Sequence, residues 1–151
     1  MQYLQNTQAS AILKMDVEND EWDILFETPS HVLSSFSQII CEFHSFGSVV
    51  KQDWYERAYA VLKKLDLQFA VVHVHGNNAL PWVALGNVPF PEILEVTYAS
   101  RARYLFERSN EVFPTALDAP NLPDRPDFYL GCFVFSNPPG RELPKIVRGD
   151  G

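Results

Sequence analysis

The chain has 151 residues, 46% hydrophobic and 13% aromatic, which is enough apolar material to core one globular domain or part of one and excludes a disordered chain. Nineteen acidic residues against twelve basic ones give a formal charge of -7, which repels phosphate backbones and anionic lipid, so neither nucleic acid nor a membrane is an expected partner. No run reaches the roughly 20 apolar residues of a membrane span, and the opening MQYLQNTQAS lacks the basic and apolar regions of an export signal.

Residues 1-10 read as an N-terminal extension. AILKMDV (11–17) has the composition of a first strand. In NDEWDILFE, Asn19 is placed to cap a short helix whose first turn carries Asp20 and Glu21, where the helix dipole favours acids. Thr28-Pro29 then restarts the chain as N-cap and first helical residue of a second short turn, SHVLSSF. SQIICEFH is a second strand. In DWYERAYAVLKKLD, residues Trp54, Ala58, Val61, Leu62 and Leu65 share one helical face, as in a helix that covers a sheet. LQFAVVHVH is a third strand, and its apolar run predicts a central position buried on both sides. Strand and helix alternate, which argues for right-handed crossovers and a parallel sheet.

The last third differs in texture. ILEVTYAS and YLGCFVF are strand-like, but Pro114, Pro120, Pro123 and Pro126 lie between them and forbid regular structure, so a long ordered loop and an antiparallel ending are expected. Residues 11-136 form the domain on this reading, and 137-151 a flexible tail whose Arg148-Gly149-Asp150 is a coincidental tripeptide. Cys41 and Cys132 both sit in apolar runs, where a thiol behaves as a small core residue; no disulfide or zinc framework is expected, and the compartment is cytoplasmic.

In an open parallel sheet the ligand sits beyond the carboxyl ends of the strands. The first strand delivers Asp16 and Glu18 to that rim, the second Glu42 and His44, and the third His73 and His75 with Asn77 and Asn78. Some of these have plainer readings. Asp20 and Glu21 suit a solvated helix start, His73 alternates with valines as a core histidine does, and Asn77 and Asn78 suit a turn after Gly76. Asp16 is harder to dismiss, because a carboxylate closing a buried strand is costly unless it finds donors.

These residues carry a resemblance. LKMDVENDEWDIL followed by FSQIICEFH resembles the pattern K-I-D-x-E-G-x-E-W-x-x-L and Q-x-x-x-E-x-H of FkbM-type S-adenosylmethionine-dependent methyltransferases, and HVHGNN, PEILEVTY and LDAPN are similar to the C-terminal signature of one branch of that group. It runs from Leu13 to about Phe135, with Asn19 where the family has Gly. The resemblance implies a partial Rossmann-like, class I methyltransferase-like α/β sheet, mostly parallel with an antiparallel C-terminal portion. AILKMDV would then be its fourth strand. It implies S-adenosylmethionine as cofactor and a small-molecule substrate, a hydroxyl of a sugar or other metabolite. Asp16, Glu42 and His44 would be catalytic, with Glu18, His75, Asn77 and Asn78 binding substrate. None of the seven glycines opens a helix after a strand in a G-x-G-x-x-G setting, so the cofactor half is expected to be absent from this chain, which alone would bind no cofactor and be inactive.

Two other readings stand beside this one. A non-catalytic binding or assembly module would use the same fold without chemistry. A divalent-metal enzyme would use Asp16, Glu42, His44 and one of His73 or His75 as a mixed oxygen and nitrogen site. The missing half also leaves the edge of strand 11-17 unpaired, inviting a second copy, the N-terminal half, or residues 1-10.

Overall fold

The structure, a computed structural model, describes residues 11–132. The expectations for residues 1-10, for 133-136 and for the tail 137-151 lie outside the described residues.

The core is built on one face of a four-stranded sheet. In strand β2 (Phe36–Phe43) the residues Ser37, Ile39, Cys41 and Phe43 are buried and the alternate ones half-exposed, the period of two that a sheet with one well-packed face requires. Strand β1 (Ala11–Met15) pairs with it in parallel. Helices α1 (Glu21–Glu27) and α3 (Gln52–Asp66) supply Trp22, Leu25, Ala58, Val61 and Leu65 to that core, and α2 (Ser30–Leu33) adds Leu33. Trp54 packs against the same cluster, whereas Leu62, placed on that face by its spacing, is exposed.

The sheet order corrects the parallel expectation. Strand β3 (Phe69–Gly76) does not pair with β2; β6 (Leu94–Ser100) returns between them, antiparallel to both, giving the order β1-β2-β6-β3. One parallel pairing and two antiparallel ones make this a mixed sheet. Among the described residues β3 is an edge strand rather than a central one. Its apolar run misled because the register shifts between Val71 and His73, which leaves Val72 exposed while the flanking residues stay packed. Even so β1, β2 and β3 run in one direction, so their carboxyl ends still share a rim.

Smaller corrections concern caps. Asp20, not Asn19, occupies the N-cap of α1, and it makes no side-chain cap. Thr28 closes α1, with its hydroxyl donating to the Ile24 carbonyl at 2.6 Å, and Pro29 is the N-cap of α2. The hairpin of β4 (Trp82–Leu85) and β5 (Val88–Pro91) turns through Gly86 at φ 63 and Asn87, a left-handed corner that glycine accepts without penalty. The proline-rich stretch is irregular as expected. It is tied off by a short pairing of β7 (Val112–Phe113) with β8 (Gly131–Cys132). Cys41 is buried and Cys132 exposed, so only the first behaves as a core thiol; both are free. Among the described residues no helix is long and apolar enough to cross a membrane.

Candidate functional site

Beyond Met15 the chain must turn sharply into α1, and it does so through positive φ at Glu18 (52°) and Asn19 (89°). Asparagine is the residue after glycine that best tolerates this region. A second left-handed corner follows β2 at Ser45, φ 66°, and the two corners are joined by a hydrogen bond from the Ser45 hydroxyl to the Asn19 side-chain oxygen. Three non-glycine residues held at positive φ around one rim is strain of the kind that gathers at ligand sites.

Glu21 holds this rim together from beneath. It is wholly buried, and its carboxylate accepts the backbone N–H of His44 at 2.7 Å, the Asn19 N–H at 2.9 Å, and the His44 ring nitrogen Nδ1 at 3.2 Å. Reading Glu21 as part of a solvated helix start is therefore wrong. The next residue, Trp22, donates its indole N–H to the His44 carbonyl at 2.8 Å, and its ring lies 4.7 Å from Phe43 and 5.1 Å from Trp54. Because the Glu21 carboxylate can only accept, Nδ1 keeps its proton and donates it, and the neutral imidazole carries its lone pair on Nε2. Nε2 approaches the exposed Glu18 only at 3.7 Å, beyond hydrogen-bond reach.

Above this floor opens a cavity of about 710 Å³, lined by Asp16, Glu18, Glu42, His44 and Asn77 among others. Ligand atoms of Asp16, Glu42 and His44 lie within 4.8 Å of one another. Asp16 is exposed, so the expected burial cost does not apply to it. Glu42 is half-buried; desolvation first, then hydrogen bonding and repulsion from Asp16, push its carboxyl above the usual range, while the Asn77 amide donating at 2.5 Å pulls the other way. The rim thus brings two carboxylates together with, among the described residues, no lysine or arginine bonded to either.

The other expected site residues are used differently. His75 is buried, with Nε2 3.1 Å from both oxygens of Asp127 and Nδ1 3.6 Å from Glu95. These carboxylates, Glu95 first, raise its pKa to about 9. Asn78 donates to the carbonyls of Leu122 and Arg125 at 3.1 and 3.2 Å and accepts the Leu122 N–H at 2.8 Å. His73 meets Asp118 at 2.9 Å. All three fasten the loop between β7 and β8 to β3, and neither His75 nor Asn78 lines the cavity. Of the four residues expected to bind substrate, Glu18 and Asn77 face it.

Sequence reasoning passed over Glu21, Glu95 and Asn121. Asn121 donates to Glu95 at 2.9 Å, and both line the cavity. The signal for Glu21 was present as the acid preceding Trp22 in the motif, but a helix's first turn is also where unremarkable acids collect. No family model, curated protein or solved structure matches the chain.

Proposed function

We propose that this chain is the substrate-side, C-terminal part of an FkbM-type S-adenosylmethionine-dependent methyltransferase domain, acting on a hydroxyl of a sugar or other small metabolite. One observation carries the reading. The polar positions of two blocks separated in sequence, Asp16, Glu18, Asn19 and Glu21 in one and Glu42 and His44 in the other, converge on a single rim, each touching or facing another. Blocks that resembled a family by chance would have no reason to interlock. The later blocks interlock too, through His73 with Asp118, His75 with Glu95, and Asn121 with Glu95. Asn19 adopts the left-handed conformation that the family's glycine would take. Parallel pairing of β1 with β2 and an antiparallel strand late in the chain also fit a Rossmann-like, methyltransferase-like sheet.

The residues present do not fit the cofactor. Among the described residues no two glycines stand in G-x-G spacing; Gly76 ends β3 without a helix behind it, and Gly86 and Gly131 occupy left-handed turns. Its cradle would have to come from outside the described residues. What this chain supplies is acceptor handling. Asn77 fixes Glu42, the Glu21 floor fixes His44, and an acceptor hydroxyl entering the cavity meets Asp16, the exposed carboxylate, as the group to take its proton.

The test is transfer of a labelled methyl group from S-adenosylmethionine to a panel of monosaccharides and small hydroxylated metabolites. The chain would be expressed with any coding sequence continuous with it upstream. Asp16→Asn should lower turnover by about 10² to 10⁴-fold with the fold intact. Equal transfer by the variant would remove Asp16 from the mechanism, and no labelled product from the wild type would sink the reading.

A further inference from the structure

The geometry points to a divalent-cation site at Asp16, Glu42 and His44, deepening the proposed reading of this same rim. Three donors from two neighbouring strand ends, two carboxylates and one imidazole, lie within 4.8 Å of one another, a little more than the roughly 4.0 to 4.6 Å that opposite donors about 2.0 to 2.3 Å from a common ion would span, so a small closure of the rim brings all three onto one ion. Carboxylate pairs are common on protein surfaces and alone would mean little. Here the imidazole and the supporting groups decide.

His44 is only 6% exposed, yet among the described residues its Nε2 makes no hydrogen bond, with Glu18 no nearer than 3.7 Å. Its Nδ1 is fixed by a carboxylate that is itself wholly buried. A metal-binding histidine nearly always shows this arrangement: the far nitrogen donates to a carboxylate, which sets the tautomer, aims the lone pair and raises its basicity. A histidine kept only for packing would need no such support at the cost of burying Glu21. Glu42 is likewise oriented, by the Asn77 amide, itself buried. Each partly or fully buried donor therefore has its own support from behind. The third donor, Asp16, is exposed and lines the cavity from the adjacent strand end.

The donor set identifies the class of ion. Two hard carboxylates with one imidazole and no thiolate suit Mn²⁺ or a similar first-row dication better than a soft ion. Cys41 lines the same cavity, but among the described residues only Asp16, Glu42 and His44 place ligand atoms within reach of one another. A dication would also supply counter-charge to two carboxylates that face the same cavity a few ångströms apart. With three protein donors, its remaining positions would open to the cavity; an acceptor hydroxyl entering there would have its proton made more acidic by the ion, and Asp16, which gives the ion one oxygen, keeps its second oxygen to take that proton.

The experiment is Mn²⁺ titration of the full chain, followed by the loss of free-ion paramagnetic resonance signal. One ion per chain is expected. Asp16→Asn, at an exposed position that should not disturb folding, and His44→Ala should each weaken binding by tenfold or more. Glu21→Gln, which touches no ion, should weaken it about 10 to 100-fold, with circular dichroism showing that the variant is folded. Glu27→Gln, an exposed acid elsewhere on α1, should leave affinity unchanged. Absence of binding at millimolar Mn²⁺, or equal affinity in the wild type, Asp16→Asn and His44→Ala, would overturn the site. The two proposals fail separately. Mn²⁺ bound as described, with no methyl transfer in the earlier assay, keeps the cation site and removes the methyltransferase; transfer by a chain that binds no Mn²⁺ does the reverse.

Discussion

Glu42 on β2 and Glu95 on β6 are register partners in the same sheet, yet their surroundings drive them in opposite directions. Glu95 also stands opposite His75 on β3, and the hydrogen bond from that histidine, despite desolvation, lowers its pKa. Glu42 faces Asp16 instead, and desolvation and that second acid raise it. On the β3 side the described acids are matched: Glu95 and Asp127 by His75, and Asp118 by His73 and by the Thr115 N–H and hydroxyl, which outweigh its desolvation. On the β1 side an imidazole lone pair and two acids meet around a cavity. Similar residue types a few ångströms apart thus make a fastening in one place and an unbalanced site in the other. The difference is whether the chain itself supplies the counter-charge.

That contrast can be broken by substitution. The largest effect should come from His75→Gln, which leaves the partly buried Glu95 and Asp127 without their shared cation; losing hydrogen bonds to charged groups of this kind costs roughly 1.5 to 3 kcal/mol. Urea unfolding would measure it, and a loss below about 1 kcal/mol would mean that the β3 cluster is not a fastening. A smaller effect should follow from pH alone. His75 has its pKa raised from 6.5 to about 9, so its stabilisation is complete below the first value and is lost as pH rises through the second. Amide exchange at Phe128 and Leu130, which belong to the fastened loop, should accelerate over that window beyond the base-catalysed rise seen for Val61 and Leu65 in α3. Parallel behaviour of the two sets would separate His75 from loop order.

The smallest effect, opposite in sign, belongs to Glu42→Gln. A carboxyl raised in the folded chain weakens the fold as it ionises, from its ordinary value of 4.5 upward. The amide removes that repulsion, and at neutral pH the variant should be more stable by up to about 1 kcal/mol. A destabilised Glu42→Gln would show that the two sides of the sheet are alike after all.

Much of this was legible in the sequence. The period of two in QIICEF placed β2, the helical spacing of Ala58, Val61 and Leu65 placed α3, and Asp16, Glu42, His44 and Asn77 did converge. What escaped was non-local. Nothing in LEVTYAS states that it will slot between two earlier strands, because an apolar strand reads alike at either position. The Gly86-Asn87 corner flanked by valine and leucine was a usable hairpin signal and went unread. Glu21 was hidden because burial of a helix-start acid depends on a residue twenty-three positions away, the His44 amide that it captures. His75 and Asn78 looked like ligand contacts because the loop that occupies them lies far along the chain.

The insertion of β6 also governs the order in which the molecule can be made. When β3 leaves the ribosome it has no strand to join, since its only described partner, β6, is still to be translated. Until then β2 and β3 each keep an open flank, and the cysteine and aromatic side chains of the helix-covered face are closed over by half a sheet. The two pairings of β6 form late and across long stretches of chain, so loop entropy must be met before either one rewards it. The four-stranded sheet is therefore closed only once β6 has been made, whereas Asp16, Glu21, Glu42 and His44 all lie on segments already translated by then.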